Sequence, residues 1–267
     1  RTTDRGRPSF LGRPAPGSRR AFFGDPDRSY ARTNVDLVNL GVEHQVSDTL
    51  EIRNRTIFGD YDKFYANVYP SGPAVAGPTG GPATYPLQAY QSDTPRQNLF
   101  SQTDVVWKLE LGGIRHTLLA GFELGRQKTS NLRLTGPFGT PTGPTTLAGN
   151  PFADPTRRGQ AIFFTNTGGD ANNRVKATVA AAYVQDQIEI TPQLQLIAGL
   201  RFDSFDVDFL DRRASVTGRR DFSRQDELWS PRLGLVFKPL EPVSLYASYS
   251  VSYLPSSGEQ FSSLTAT

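Results

Sequence analysis

Residues 181–205 read AAYVQDQIEITPQLQLIAGLRFDSF, and a period of two runs through them on both sides of one tight turn. Beyond Thr191-Pro192-Gln193, the residues Leu194, Leu196, Ala198, Leu200 and Phe202 share one parity, while Gln195, Gly199, Arg201 and Asp203 take the other. Successive side chains of a strand point to opposite faces, so this pattern makes a β-hairpin with one greasy face and one wet face. Proline has no N–H for a ladder and fixes its own φ, so the Thr-Pro pair ends the first strand.

The same alternation recurs along the chain and predicts about eight strands, at 30–46, 50–65, 99–111, 115–128, 175–190, 194–209, 229–238 and 243–253. Their connections alternate strictly. Short turns fall at Ser47-Asp48-Thr49, Gly112-Gly113, Thr191-Pro192-Gln193 and Pro239-Leu240-Glu241-Pro242, and long stretches rich in Pro or Gly, or in Arg, fall at 66–96, 131–174 and 210–227. A soluble sandwich has no reason to sort its loops by edge of the sheet. An outer-membrane barrel does, with short periplasmic turns and long external loops. The strands also exceed the roughly five or six residues usual in globular domains. One residue breaks the pattern: Asp186 shares the parity of Val184, Ile188 and Ile190.

Only 37% of the 267 residues are apolar, with 25 Gly and 20 Pro. A loop-rich soluble protein would give these figures, and so would a barrel in which alternate residues face lipid. No apolar run is long enough for a membrane helix. Cysteine is absent, which excludes disulfides and thiolate metal sites. A net charge of +3 is too slight to argue for nucleic acid as a partner. The chain opens on Arg1 and contains no Met, and is read as an internal fragment. Residues 1–28, with seven arginines, three aspartates and four prolines, form a loop segment before the first complete strand; 29–267 form the strand domain.

YVQDQIEITPQLQLIAGLRFD resembles the hairpin of TonB-dependent outer-membrane receptors, in particular those for ferric siderophores. SPRLGLVFKP, SLYASYSVSYLP and GIRHTLLAGFELGRQ look like further barrel strands of that family, and DRGRPSFLGRP and FFGDPDRSYAR are similar to its segments as well. The resemblance implies an all-β, antiparallel up-and-down transmembrane β-barrel in the bacterial outer membrane. This chain would be a segment of it, with the N-terminal plug and the TonB-contacting part absent. It implies binding of ferric siderophore at the cell surface and uptake driven by the TonB complex, with outer-membrane lipid around the wall. Iron would travel as cargo, with no cofactor bound directly and no enzymatic activity. Two other readings stay open on the residues: a complete eight-stranded barrel acting as anchor or adhesin, and a soluble all-β carbohydrate-binding or hydrolytic domain.

No G-x-S-x-G, P-loop or H-E-x-x-H sequence occurs. His44 and His116 fall on the apolar parity near short turns, which fits an interfacial position. Asp203, Asp206 and Asp208 lack the Gly and distal Glu of a calcium loop. Trp107, Trp229, Tyr249, Tyr253 and Phe122 take the lipid-facing parity, whereas Arg53, Arg55, Arg201, Asp203, Glu123 and Asp104 face the interior as an expected ion-pair lattice. Ferric catecholates are anionic and aromatic, so a receptor for them needs cations and flat π surfaces at its mouth. In the long connections Arg157, Arg158, Arg212, Arg213, Arg219, Arg220, Tyr69, Tyr85, Tyr90, Phe163 and Phe164 have that chemistry. No residue set has the pattern of a metal site.

Overall fold

A computed structural model describes residues 6–253. The further loop expected after the last strand lies outside the described residues. Two short strands, β1 (Ser9–Phe10) and β2 (Arg13–Pro14), pair within the N-terminal segment. Eight long or principal strands follow: β3 (Tyr30–Gln45), β4 (Leu50–Pro70), β6 (Pro82–Leu111), β7 (Ile114–Thr135), β9 (Asn172–Thr191), β10 (Leu194–Asp211), β11 (Asp221–Leu240) and β12 (Val243–Ser250). They lie side by side in chain order, each antiparallel to the next, and the short strands β5 (Val75–Ala76) and β8 (Thr146–Pro151) attach to β6. This is the expected up-and-down order.

The short turns all lie at one end. Gly112 and Gly113 both have positive φ, 61° and 82°, which is the twist a two-residue hairpin turn demands. At the β9–β10 turn Thr191 Oγ1 accepts the N–H groups of Gln193 at 3.3 Å and Leu194 at 3.0 Å. At the β3–β4 turn Ser47 Oγ accepts those of Thr49 at 3.3 Å and Leu50 at 3.1 Å.

The long connections depart from expectation. Most of 66–96 is strand, because β4 and β6 stay paired as far as Pro70 and Leu87 and leave only residues 71–81 between them. Several strands outrun the 10 to 17 residues read from periodicity, β6 reaching 30, while β3 has 16 and β12 has 8. Proline survives in β6 where a ladder gives way: partners with β7 step from Asp93–Leu132 to Arg96–Thr129 across Pro95, and the register with β8 shifts between Tyr85 and Leu87 across Pro86. At about 3.3 Å per residue and a tilt near 45°, the 30 residues of β6 span roughly twice the hydrocarbon core of a bilayer, so β6 projects beyond it.

Register sorts the two faces. One rung joins Thr103, Phe122, Ala182, Phe202 and Trp229, and the next toward the turns joins Val105, Ala120, Val184, Leu200 and Pro231. These side chains form an apolar band that protein does not cover: Phe122 is 49%, Val184 46% and Trp229 56% exposed. On β6 the band reaches Leu99, but on β10 it ends at Phe202, whose rung crosses β6 at Thr103. A band that slips along successive strands means strands tilted to it, as barrel closure requires. Asp186 does lie on this face, and its Oδ2 meets His116 Nδ1 at 2.7 Å, two strand residues from Ile188 and close to the turns.

Beyond the band the same face of β4 and β6 is covered. Val68, Leu87 and Ala89 pack with Phe23 from the N-terminal segment and with Phe138 and Ile162 from the β7–β9 connection. Residues 6–28 are therefore a docked flap: Ser29 Oγ accepts the Val68 N–H at 3.0 Å, and the buried Asp25 carboxylate accepts those of Asp27 at 2.9 Å and Gln160 at 3.2 Å.

Candidate functional site

The opposite face carries the polar chemistry. At its middle Arg201 reaches Asp203 at 2.7 Å and Glu123 at 3.2 Å, stacking over Tyr183 at 5.4 Å, while the Tyr183 hydroxyl donates to Asp104 and accepts from Gln102. Arg53 pairs with Glu51 at 2.6 Å nearer the turns. Of the expected lattice, Arg53 and the Arg201, Asp203 and Glu123 group form ion pairs, Asp104 is held by Tyr183 and Gln102 instead, and Arg55 makes no ion pair among the described residues.

Higher on this face, past the level of the apolar band, β3, β4, β6 and β7 enclose a hollow of about 340 Å³. Tyr61, Lys63 and Tyr65 line it at every second position of β4, opposite Arg96, Thr94 and Ser92 of β6, with Arg133 and Asn131 supplied by β7. Among the described residues three cations and no carboxylate line the hollow. The Tyr61 ring lies over Gly59, where an added Cβ would come within 2.7 Å of it. The Lys63 ammonium sits 5.8 Å from the Tyr65 ring, and the Arg133 guanidinium 3.7 Å from that of Tyr90. Tyr90 in turn meets Tyr65 edge-on at 5.7 Å and Tyr69 at 5.5 Å. Arg96 Nε donates to Thr129 Oγ1 at 3.2 Å, which holds its guanidinium across the ladder. Fixed cations beside edge-to-face phenol rings have the chemistry to hold an anionic, aromatic guest by charge, hydrogen bonding and ring contact at once.

Of the side chains singled out in the sequence, Tyr69 and Tyr90 belong to this array. Both are nearly buried, and the Tyr69 hydroxyl donates to Gln88 at 3.1 Å. Tyr85 lies on the opposite face, fully buried against Phe23, its hydroxyl donating to the Pro155 carbonyl; burial pushes that phenol up to about 12. Phe164 packs on the same covered cluster, and Phe163 beside it is 40% exposed. Arg157 donates its backbone N–H to Gly24 at 2.8 Å, and Arg158 pairs with Asp27 at 2.7 Å, so both tie the β7–β9 connection to the flap. In the β10–β11 loop Arg213 clamps Asp211, with Nη2 at 2.6 Å, and holds that carboxyl below the usual range. Arg220 donates to the Val216 carbonyl, Arg219 lies 5.3 Å from the Phe222 ring, and Arg212 is exposed. Sequence reading missed Tyr61, Lys63, Tyr65, Arg96 and Arg133. Parity held the signal, since Tyr61, Lys63 and Tyr65 continue the interior positions of Arg53 and Arg55 along β4.

A tilted antiparallel wall with an uncovered apolar band outside, ion pairs inside and every short turn at one end is a segment of an outer-membrane β-barrel. The chain belongs to the TonB dependent receptor-like, beta-barrel family, whose family model matches residues 1–267. Barrels of this family reside in the bacterial outer membrane. CntO of Pseudomonas aeruginosa, a metal-pseudopaline receptor, is 26% identical over 245 residues, covering 90% of this chain and 32% of its own. PiuA of Acinetobacter baumannii, a probable TonB-dependent siderophore receptor, is 24% identical over 256 residues, covering 91% and 34%. The closed crystal form of the ferric-catecholate import receptor Fiu from Escherichia coli superimposes with a TM-score of 0.73 at 22% identity, over 91% of this chain and 36% of that one. The likeness to Fiu shows the fold. The chain spans about a third of the length of the curated relatives it matches.

Proposed function

We propose that this chain forms part of the wall of a receptor that binds ferric siderophore at the cell surface and passes it to the periplasm with energy from the TonB complex. The role is binding and transport, and iron enters as cargo inside its organic carrier. The carrying observation is the interior hollow lined by Lys63, Arg96 and Arg133 with Tyr61 and Tyr65, and backed by Tyr90 under Arg133. A ferric tris-catecholate is a flat-faced polyanion, and this surface offers it three cations, aromatic rings and no opposing carboxylate. Names of relatives support a metallophore cargo: Fiu is a ferric-catecholate receptor and CntO a metal-pseudopaline receptor. The tyrosines favour the catecholate. Arg212 and Phe163, exposed on outer loops, are proposed first contacts.

The test uses the full-length receptor that carries this segment. Replacing Lys63 and Arg133 together by Gln is expected to weaken ferric-catecholate binding by about a hundredfold, each charge-assisted contact contributing roughly 1.5 kcal/mol. Growth under iron limitation on the same siderophore should fall with it. Unchanged binding in a folded double variant would remove the hollow from the ligand path.

A further inference from the structure

The apolar band of the outward face is interrupted at one place. On β4 and β6 it runs over the rungs Leu50–Trp107, Ile52–Val105, Asn54–Thr103, Thr56–Ser101 and Phe58–Leu99, and the third and fourth of these are polar. Val42 and Leu40 flank the two polar rungs on β3, and Phe122 and Leu124 flank them on β7. Uncharged polar side chains therefore form an island at mid-height of a surface that otherwise meets hydrocarbon. β3 and β7 already occupy both sides of the β4–β6 pair, so further strands of a closed barrel extend the wall and leave the island open. The N-terminal flap reaches β4 and β6 only higher up, where Phe23 packs on Val68 and Leu87.

Within one copy the island is not fully satisfied. Asn54 Nδ2 donates to Thr103 Oγ1 at 2.9 Å, to the Gln102 carbonyl at 3.1 Å and to Ser101 Oγ at 3.2 Å. Thr56 Oγ1 donates to Asn54 Oδ1 at 3.1 Å, which leaves Ser101 to donate to Thr56 across 2.8 Å. Every donor is then spent except the Thr103 hydroxyl, which among the described residues only accepts, and Asn54 Oδ1 keeps a second lone pair. All four side chains are half-buried, and hydrocarbon offers them no partner. Symmetry supplies one. A two-fold axis along the membrane normal brings a second copy's rung to the same depth and exchanges its left and right, so that Thr103 of each copy faces the partner's Asn54. We propose that two copies of the receptor pair through this island, each Thr103 hydroxyl donating to the partner's Asn54 carboxamide oxygen, with Val42, Leu40, Phe122 and Leu124 packed around the polar centre. Hydrogen bonds of this kind drive association inside a bilayer, where apolar surface alone does not. A different protein would need neutral polar groups at this one depth with donor and acceptor reversed; a copy of this chain presents them by symmetry.

Full-length receptor carrying this segment is labelled with donor or acceptor dye and reconstituted into phosphatidylcholine vesicles over a range of dilutions in lipid, with pairing read as energy transfer. Wild type is expected to form dimers, and N54L/T103L to dissociate roughly tenfold more readily. Leucine matches the rest of the band, so the variant keeps its fold, as checked by the heat-induced mobility shift on gels. Two single variants give the sharper reading. N54L copies pairing with one another lose both reciprocal bonds, and so do T103L copies, whereas a mixed pair keeps one, from Thr103 of the first to Asn54 of the second. Mixed pairs should therefore associate roughly threefold more strongly than either like pair. Wild type that stays monomeric at every dilution, N54L/T103L that pairs as tightly as wild type, or mixed pairs no stronger than like pairs would each overturn the assignment. So would a receptor that is monomeric in vesicles and cross-links through this rung to a different protein in native outer membrane.

Discussion

Single residues in this wall take their roles from which face they occupy. Asp186 is a carboxylate on the greasy face, admitted there because His116 reaches it at 2.7 Å. Removing one partner strands the other next to hydrocarbon, whereas removing both leaves an apolar patch. His116→Leu is therefore expected to cost about 1–3 kcal/mol, and His116→Leu with Asp186→Leu to recover most of it, as read by thermal unfolding of the full-length barrel in detergent. Asp211 offers a pH test above the band. Its buried carboxyl is held below the ordinary range by hydrogen bonds from Arg213, so the folded loop releases this proton more readily than the unfolded chain. The stabilisation is complete above the ordinary carboxylate range, near pH 4, and is lost as pH falls through the lower folded value. Hydrogen exchange in the β10–β11 loop, corrected for intrinsic rate, should show Asp211→Asn more open than wild type at pH 7, with the difference shrinking as pH falls below the ordinary carboxylate range.

Among the elements, the flap formed by residues 6–28 depends on one close approach. An added Cβ at Gly24 would stand 2.2 Å from the Val68 carbonyl oxygen, a backbone atom that cannot swing aside as a side chain could. Gly24→Ala is expected to undock the flap while the strands below keep their pairing. Trypsin should then cut at Arg19 and Arg20 much faster, with the heat-induced mobility shift of the barrel on gels unchanged. That flap was read as plain loop from its prolines and arginines, and it shows where sequence was legible. Period two, turn residues and the sorting of connections were enough for eight strands in order, for the interior positions of Arg201, Glu123 and Asp104, and for Trp229 on the outside. Periodicity failed at 66–96 because Pro70, Pro82, Pro86 and Pro95 mark loops by composition, while ladder gaps at Pro86 and Pro95 and strand ends at Pro70 and Pro82 accommodate them. A loop over that stretch gives Arg96 no parity and hides the rungs that join Lys63 to Thr94 and Ser92 to Arg133. Chemistry alone singles out the loop arginines, and their partners, such as Asp27 for Arg158 and Asp211 for Arg213, lie far off in sequence or demand a turn geometry that spacing does not reveal.

At the scale of the whole molecule everything rests on what touches the apolar band. Val184 and Gln185 are neighbours on β9 at one height and on opposite faces, and Thr178 shares the face of Val184 but stands three rungs higher, level with Arg126. In a bilayer the cost of an arginine depends on face and on depth: about 2–4 kcal/mol for a lipid-facing position near the midplane and about 0–1 kcal/mol near the interface. Val184→Arg should therefore be costly, Gln185→Arg close to neutral because the interior is polar, and Thr178→Arg close to neutral because its level is already cationic. Unfolding free energies of the three full-length variants in phospholipid bilayers check this order. A soluble two-layer protein would also reject arginine at Val184, but its penalty would follow burial against a second sheet. Here Val184 is 46% exposed, with no second sheet over it among the described residues. Thickening the bilayer adds a second reading, since a wider hydrocarbon layer brings Thr178 toward the apolar region while leaving all protein contacts as they were. The Thr178→Arg penalty should then rise and that of Gln185→Arg stay flat; penalties indifferent to bilayer thickness would mean that something other than lipid covers this face.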